Sequence, residues 1–311
     1  ILVAGACGLV GSDLVCALQD KFGASNVISM DLHAPSHAYT GEFKTGDVRD
    51  REKLENLVRE YEIGTIYHLA GLLSAGSEKS PDRALDINLN GLKNVLDIAR
   101  DQQIKVFWPS SIGVYGKTTP KISTPQHTSF EPNTMYGVTK VAGELLCQYY
   151  FERYGVDVRS LRYPGLNGCK AEPGDGTTEY AIHIFYGLVR ENRYECYLSA
   201  DTRLPMMYMS DAIRGTMMLM DAPAEKITIR TSYNFTAISF TPAELVNEIR
   251  KISPDFEIVY KPDSRQKIAD SWSQSIDDSQ ARIDWGWQEK YDLAKMTIAL
   301  YEGVKKRLEN E

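Results

Sequence analysis

At 311 residues, 43% hydrophobic and 25% charged, the chain has an ordinary globular composition, with room for one large domain and an appendage or for two domains. A formal net charge of -7 without any run of basic residues excludes nucleic acid or an anionic membrane as the main partner and favours a small or mixed-charge ligand. Five scattered cysteines never spaced Cys-x-x-Cys, and five histidines without His-Glu-x-x-His, give neither a disulfide framework nor a metal site, and no stretch approaches the ~18 apolar residues of a membrane helix.

The first half alternates short apolar runs with amphipathic stretches. Strands are predicted at 1–5, 27–31, 42–46, 63–70, 104–109 and 156–163, with helices at 10–22, 50–61, 81–102 and 133–154. This alternation predicts an α/β fold, a Rossmann-type doubly wound parallel sheet whose ligand lies at the carboxyl ends of the strands, near the switch in strand order. Gly5, Gly8 and Gly11 follow the first strand and open the first helix. Glycines so placed permit a tight turn, a close approach of backbone to a pyrophosphate and close helix–strand packing. Asp31 closes the second strand twenty residues past Gly11, where its carboxylate accepts hydrogen bonds from ribose hydroxyls and repels a ribose phosphate; NAD is favoured over NADP. Asp47 ends the third strand and either meets the adenine amino group or is a solvated turn residue.

Ser110 and Ser111 follow the apolar run Val106-Phe107-Trp108-Pro109, which puts their hydroxyls at the ligand edge of the sheet unless they serve as turn caps. Tyr136 and Lys140, four apart at the start of the next helix, share one face. An ammonium there can hold a phenol near its deprotonated form, ready to take a proton from a substrate hydroxyl. The same spacing recurs at Tyr291 and Lys295, in a terminal amphipathic helix with Leu293, Met296 and Leu300 on its apolar face, and reads there as surface and core filling. After about residue 165 the regularity breaks in a loop punctuated by Gly165, Gly168, Pro173, Gly174 and Gly176. Farther on, Thr241-Pro242-Ala243-Glu244 is an explicit helix start with a capping box. The domain expectation is 1–165 as the dinucleotide-binding domain, with segments near 206–222 and 231–236 returning to it, and 166–311 as a smaller, mainly substrate-binding α/β domain.

These segments together, with Asn88-Leu89-Asn90-Gly91 and Arg162-Tyr163-Pro164-Gly165, resemble an extended short-chain dehydrogenase/reductase over essentially the whole chain. Within that superfamily, residues 174–180, 201–208 and Ile268-Ala269-Asp270-Ser271-Trp272 are similar to the NAD-dependent L-threonine 3-dehydrogenases. Ala4 and Thr139 are mild departures, at positions where threonine and serine are common. The resemblance implies oxidation of the L-threonine 3-hydroxyl to 2-amino-3-oxobutanoate, with Tyr136 as general base, Lys140 assisting it and binding the nicotinamide ribose, and Ser111 orienting the substrate oxygen. It implies cofactor contacts at Gly5, Gly8, Leu9, Val10, Gly11, Asp31, Asp47, Val48, Leu69, Ala70, Asn88, Tyr136, Lys140, Tyr163 and Leu166. It places the substrate at Ser74, Ser111, Tyr136, Thr177, Thr178 and Trp272; without it, Thr177 and Thr178 read as helix caps and Trp272 as core.

The resemblance further implies a homodimer formed through the helices at 81–102 and 133–154, without nucleic acid or membrane partners, cytoplasmic in bacteria and in the mitochondrial matrix of eukaryotes. Two rivals differ in sequence features. A nucleotide-sugar epimerase or dehydratase on the same fold would carry a basic residue for the substrate diphosphate before the strand leading to Asp211. Here that strand is the uncharged run Leu204-Pro205-Met206-Met207-Tyr208, with Arg203 beside it. A non-catalytic dinucleotide-sensing protein would lack the tyrosine or the lysine.

Overall fold

The computed structural model describes residues 1–35, 40–170, 173–174 and 176–309. Asp175, inside the 174–180 motif, lies outside the described residues. The six expected strands form as β1 (Leu2–Ala4), β2 (Ile28–Asp31), β3 (Glu42–Thr45), β4 (Thr65–His68), β5 (Lys105–Ser111) and β6 (Val158–Tyr163). Between them run α1 (Leu9–Phe22), α2 (Arg51–Glu60), α3 (Ser74–Lys79), α4 (Pro81–Leu85), α5 (Gly91–Gln102) and α6 (Met135–Tyr154). The chain continues through β7 (Gly165–Asn167), α7 (Tyr180–Glu191), β8 (Arg193–Cys196), β9 (Leu204–Tyr208), α8 (Met209–Asp221) and β10 (Tyr233–Asn234). It ends with β11 (Ile238–Phe240), α9 (Pro242–Ile252), β12 (Glu257–Tyr260), α10 (Ser264–Ser271), α11 (Ser279–Trp285) and α12 (Leu293–Glu309).

Internal contacts divide the chain into two units. The first comprises Ile1–Val114, Pro132–Arg162 and Thr216–Tyr233, the second Tyr115–Glu131, Tyr163–Gly215 and Asn234–Glu311. β10 joins the six early strands in a seven-stranded sheet of order β10-β6-β5-β4-β1-β2-β3. β1 pairs in parallel with β2 on one side and β4 on the other, so the strand order reverses at β1, where a doubly wound sheet opens its ligand crevice. Leu2, Ile28, Ile66, Val106 and Trp108 from the strands pack against Leu54, Leu92, Val95, Leu96 and Cys147 from α2, α5 and α6. α6 has clear ends: the Thr134 hydroxyl accepts from Gly137 N at 3.1 Å, and Gly155, at φ 71°, closes the helix in the left-handed region.

Two elements differ from the sequence expectation. The helix expected over 81–102 is interrupted by a π turn at Asp86–Asn90, whose inserted residue turns the Asn88 side chain inward; the residue is 4% exposed. β5 also runs two residues beyond its expected end, through Ser110 and Ser111, so both are strand residues, although Ser111 also caps the turn that follows.

In the second unit β9 pairs in parallel with β7 and antiparallel with β11, while β8 and β12 make a separate parallel pair. The capping box forms: Thr241 Oγ1 accepts from Glu244 N at 3.2 Å, and Glu244 Oε2 accepts from Thr241 N at 3.0 Å. Among the described residues no helix is long and apolar enough to cross a membrane.

One buried carboxylate ties three helices of the first unit together. Asp97 on α5, 3% exposed, accepts from Lys93 Nζ and Tyr150 OH at 2.7 Å each, and pairs with Arg51 at 3.3 Å and Arg100 at 3.2 Å. Burial opposes its charge, but the hydrogen bonds from Lys93 and Tyr150 and the Lys93 and Arg100 charges outweigh it and hold the carboxyl below its ordinary range. A depressed carboxyl stabilises the fold fully above its unfolded pKa of ~3.9, and that contribution is lost as pH falls through the folded value. Asp97→Asn is expected to destabilise the protein by about 1–3 kcal/mol at pH 7 in urea unfolding, with the difference shrinking below pH ~4; a difference independent of pH would contradict this role.

Candidate active site

The turn after β1 is built by backbone. Gly5 N and Ala6 N donate to Met30 O at 2.9 and 3.2 Å, which fixes the loop against β2, and Gly5 adopts φ 87°. A Cβ on Gly5 would lie 2.6 Å from Ala70 N, and one on Gly11 would lie 2.1 Å from Gly5 O, so loop, helix and β4 approach too closely for any side chain. Gly8 differs, because a Cβ there would meet only Gly5 O at 3.4 Å. Packing does not demand that glycine, so its backbone is left open on the side a ligand would approach. Gly8 also precedes α1 without a side-chain cap, leaving the first-turn N–H groups of Leu9, Val10 and Gly11 directed at an incoming anion.

A cleft of about 350 Å³ opens from this loop at the carboxyl ends of β1, β2 and β4. Gly5, Gly8, Asp31, Asp47, Val48, Leu69 and Ala70, all assigned to the cofactor, line it. The Asp31 carboxylate is set in place beforehand: Oδ2 accepts from Cys7 N at 2.9 Å and Oδ1 from Leu32 N at 2.7 Å. Asp47 is engaged by the Arg49 guanidinium, which holds its carboxyl below the ordinary range and in turn pairs with Asp86 at 2.9 Å. The sequence reading missed Arg83 and Ile87, one helical turn apart on the far wall. No local pattern could have revealed them, because only the fold brings α4 and the π turn to this edge. A larger cleft, about 490 Å³, opens at the amino ends of the same strands near Asn26, Thr65 and Lys105. It holds none of the assigned residues, and doubly wound sheets bind ligands at the opposite end. The cradle that only glycines permit and the pre-set carboxylate fit a dinucleotide.

Asn88 does not line this cleft but fastens its wall. Its Oδ1 accepts from Leu72 N at 2.7 Å, while Nδ2 donates to Leu72 O and to Thr139 Oγ1, both at 3.1 Å. Thr139 Oγ1 donates to Tyr136 O at 2.8 Å, so the loop at 69–72 and the first turns of α6 are tied through one amide.

On that first turn stands Tyr136. A Cβ on Gly137 would lie 2.3 Å from Gly113 O, and one on Gly113 would meet Tyr136 Cδ1 at 3.2 Å and Ser111 Oγ at 3.5 Å. Two glycines thus let the helix start press the phenol against the end of β5, where Ser111 lies close enough to pull its pKa down. Ser111 Oγ also accepts from Gly113 N at 3.1 Å. Lys140, 8% exposed, donates from Nζ to Pro109 O at 2.6 Å and stands 5.4 Å from the Tyr136 ring centroid. Burial lowers Lys140 to about 8, against the opposing pull of Cys147 and Glu144. Burial also pushes Tyr136 above its ordinary value, with the Ser111 hydrogen bond working the other way; the residue keeps some solvent exposure, which tempers the push. Protein groups alone therefore position the phenol without making it acidic.

Other assignments separate. Ser110 faces away from Ser111: it is 2% exposed and donates to Glu144 Oε1 at 2.6 Å. Ser74 opens α3, half-buried, with a hydroxyl that makes no hydrogen bond among the described residues. In the second unit Tyr163 lies with its ring 6.0 Å from that of Phe235, and Leu166 pairs with Met207 in β7. Thr177 is buried and Thr178 lies against Gly165, yet neither caps α7, whose N-cap is Glu179. The Glu179 carboxylate accepts from Gly174 N. Trp272 ends α10 and is 9% exposed. Tyr291 lies before α12 with its ring 4.5 Å from that of Tyr208, so it and Lys295 share no helix face. A further pair of this spacing, Tyr301 and Lys305, falls within α12. Among the described residues no three histidine, cysteine or carboxylate side chains cluster as a metal site would require.

Residues 1–234 match the model of the NAD dependent epimerase/dehydratase family. An epimerase/dehydratase of Staphylococcus haemolyticus, described as uncharacterized, is 45% identical over 315 aligned positions that cover 100% of this chain and 99% of that protein. The crystal structure of L-threonine dehydrogenase from Phytophthora infestans is 45% identical, covers 98% of this chain and 99% of its own, and superposes with a TM-score of 0.96. A monomeric L-threonine 3-dehydrogenase of metagenomic origin, in its apo form, is 46% identical with a TM-score of 0.95, covering 98% and 99% of the two chains. The chain belongs to the NAD dependent epimerase/dehydratase family.

Gly8→Ala is expected to keep the thermal midpoint while lowering NAD affinity about tenfold or more in calorimetric titration. Asp31→Ala should also weaken NAD binding, through the ribose. Unchanged affinity in Gly8→Ala would mean that no phosphate approaches that backbone.

Proposed function

We propose that this member of the epimerase/dehydratase family oxidises the 3-hydroxyl of L-threonine to 2-amino-3-oxobutanoate with transfer of hydride to NAD. The observation that carries this reading is the convergence of Ser111, Tyr136 and Lys140 at the carboxyl end of β5, in a chain similar along nearly its whole length to L-threonine dehydrogenases. Bound NAD supplies the hydride acceptor and a positive charge. Ser111 orients the substrate oxygen, and Tyr136 accepts the hydroxyl proton as the C3–O bond becomes a carbonyl. A phenol of pKa ~10 must fall by about 3 units to serve near neutrality, which is roughly 4 kcal/mol of preference for the phenolate. Burial adds to that demand. The Lys140 ammonium, which donates to Pro109 O, is the protein's contribution toward meeting it.

Of the residues assigned to the substrate, Ser74, Ser111 and Tyr136 belong to the first unit. Thr177, Thr178 and Trp272 belong to the second and are assigned on the resemblance; that neither threonine is used as a helix cap supports it. A sugar-diphosphate substrate is disfavoured because Arg203 is already engaged by Glu244 and by Ser239 O. We assign the protein to the cytoplasm, or to the mitochondrial matrix if its source is eukaryotic, in keeping with five free cysteines. We further assign it a homodimeric state through α6, whose outer face exposes Val138, Leu145 and Tyr149 at 43, 59 and 51%. One relative, 46% identical, is described as monomeric, so the fold by itself does not impose a dimer.

The purified protein is expected to reduce NAD with L-threonine and to use NADP poorly. Tyr136→Phe should lower kcat about 10²- to 10⁴-fold with the fold intact. Turnover of UDP-sugars with none of L-threonine would overturn the assignment. Leu145→Glu should shift the protein from dimer to monomer in light scattering; a wild type that is already monomeric would remove the dimer.

A further inference from the structure

Behind Lys140 lies a buried polar arrangement that the reaction as described does not use. Trp108, 2% exposed on β5, presents its indole face to the ammonium, with Nζ 4.6 Å from the ring centroid. The indole is seated by Gly143, one turn past Lys140 on α6, where a Cβ would lie 2.4 Å from Trp108 Cη2. Glycine inside a helix costs about 1 kcal/mol relative to alanine, so the seat is kept at a price in helix stability.

Glu144, also one turn beyond Lys140, is 1% exposed and locked from two strands. Ser110 Oγ donates to its Oε1 at 2.6 Å, and Arg162 on β6 donates Nε to Oε1 at 2.9 Å and Nη2 to Oε2 at 2.8 Å. Arg162 is itself 1% exposed. A fully buried ion pair is weak evidence for stability, because desolvation offsets most of its attraction; its retention beside a functional ammonium asks for another reason. The lock fixes α6 along β5, and Ser110 and Ser111 are adjacent on that strand, so it also sets where Ser111 stands relative to Tyr136 and Lys140.

We propose that Trp108 and Glu144 are positioning residues for Lys140: the indole face and the locked carboxylate keep the buried ammonium charged and aimed at Tyr136. The proposal rests on the assigned roles of Tyr136 and Lys140. The other groups facing Lys140 do not compete near neutrality. On β4, His68 is buried without a hydrogen-bond partner among the described residues, and burial, then the Lys140 charge, lowers it to about 3, so it stays neutral. On α6, Cys147 is pushed far up by burial and then by Glu144, so it stays a thiol, and Tyr136 lies above its ordinary value. Glu144 is the charged side chain that acts on Lys140, and Arg162 holds it in place.

Lysine labelled with ¹³C at Cε reports each Nζ ionisation by NMR, and Lys140→Met identifies the signal of interest. In the full-length protein without added nucleotide, Lys140 is expected to titrate at about 8. Glu144→Gln, which removes the carboxylate charge but keeps its shape, should lower that midpoint by about half a pH unit or more. Glu144→Asp, which keeps the charge, should hold the midpoint closer to wild type, a rescue that a merely structural role would not produce. Trp108→Leu should lower the midpoint more than Trp108→Phe, in the order of ring quadrupoles. Midpoints within about 0.2 of wild type in both Glu144→Gln and Trp108→Leu would overturn the proposal, as would a Glu144→Asp midpoint as low as that of Glu144→Gln. Where Glu144→Gln does not fold, the two Trp108 variants decide. The readout needs no turnover, so a wild type that fails to oxidise L-threonine would refute the proposed reaction and leave this result standing.

Discussion

The contact between the Lys140 ammonium and the end of β5 is the constraint around which the first unit is arranged. A buried ammonium needs acceptors, and Pro109 O and the Trp108 face supply them only if α6 lies close along the strand. That closeness explains three glycines that helix propensity alone would disfavour or leave unexplained: Gly113 just after β5, Gly137 in the first turn of α6, and Gly143 beneath the indole. It also explains why β5 continues through Ser111, because the strand must carry its serine as far as the phenol. The Thr134 cap then fixes where the helix begins, and so where Tyr136 stands.

Cofactor loop and catalytic helix are coupled through Asn88. The π turn that breaks the helical run at 86–90 is the local irregularity that turns this amide inward, where it reads both Leu72 and Thr139. One chain of hydrogen bonds thus joins the wall at 69–72 to the backbone of Tyr136.

Much of this was legible in the sequence because it depends on local geometry. Glycine spacing after a strand, an acid twenty residues on, and a tyrosine and lysine on one helix face are read directly from periodicity, and the structure gathers them at one sheet edge. What escaped depends on distant partners. Ser110 and Ser111 look alike in sequence, and only the pleat separates them, sending one to Glu144 and the other to Tyr136. Arg83 enters the cleft because a short helix passes it, and β10 adds an edge strand of two residues too short to carry a pattern. Thr177 and Thr178 have cap composition, but α7 begins after Glu179 and leaves them uncapping. Electrostatics was the least legible. Spacing suggested a phenol already softened by lysine, whereas burial raises Tyr136 and lowers Lys140 together.

On the proposed reaction, the chain positions Tyr136 as base and the charge of the bound nucleotide completes its activation. The phenolate absorbance of Tyr136, taken as wild type minus Tyr136→Phe and titrated with and without saturating NAD, tests this directly. The expected midpoint lies above pH ~10 without NAD and falls by about 2 units or more when NAD binds. A Tyr136 midpoint near neutrality without NAD, or one that NAD leaves unmoved, would contradict it.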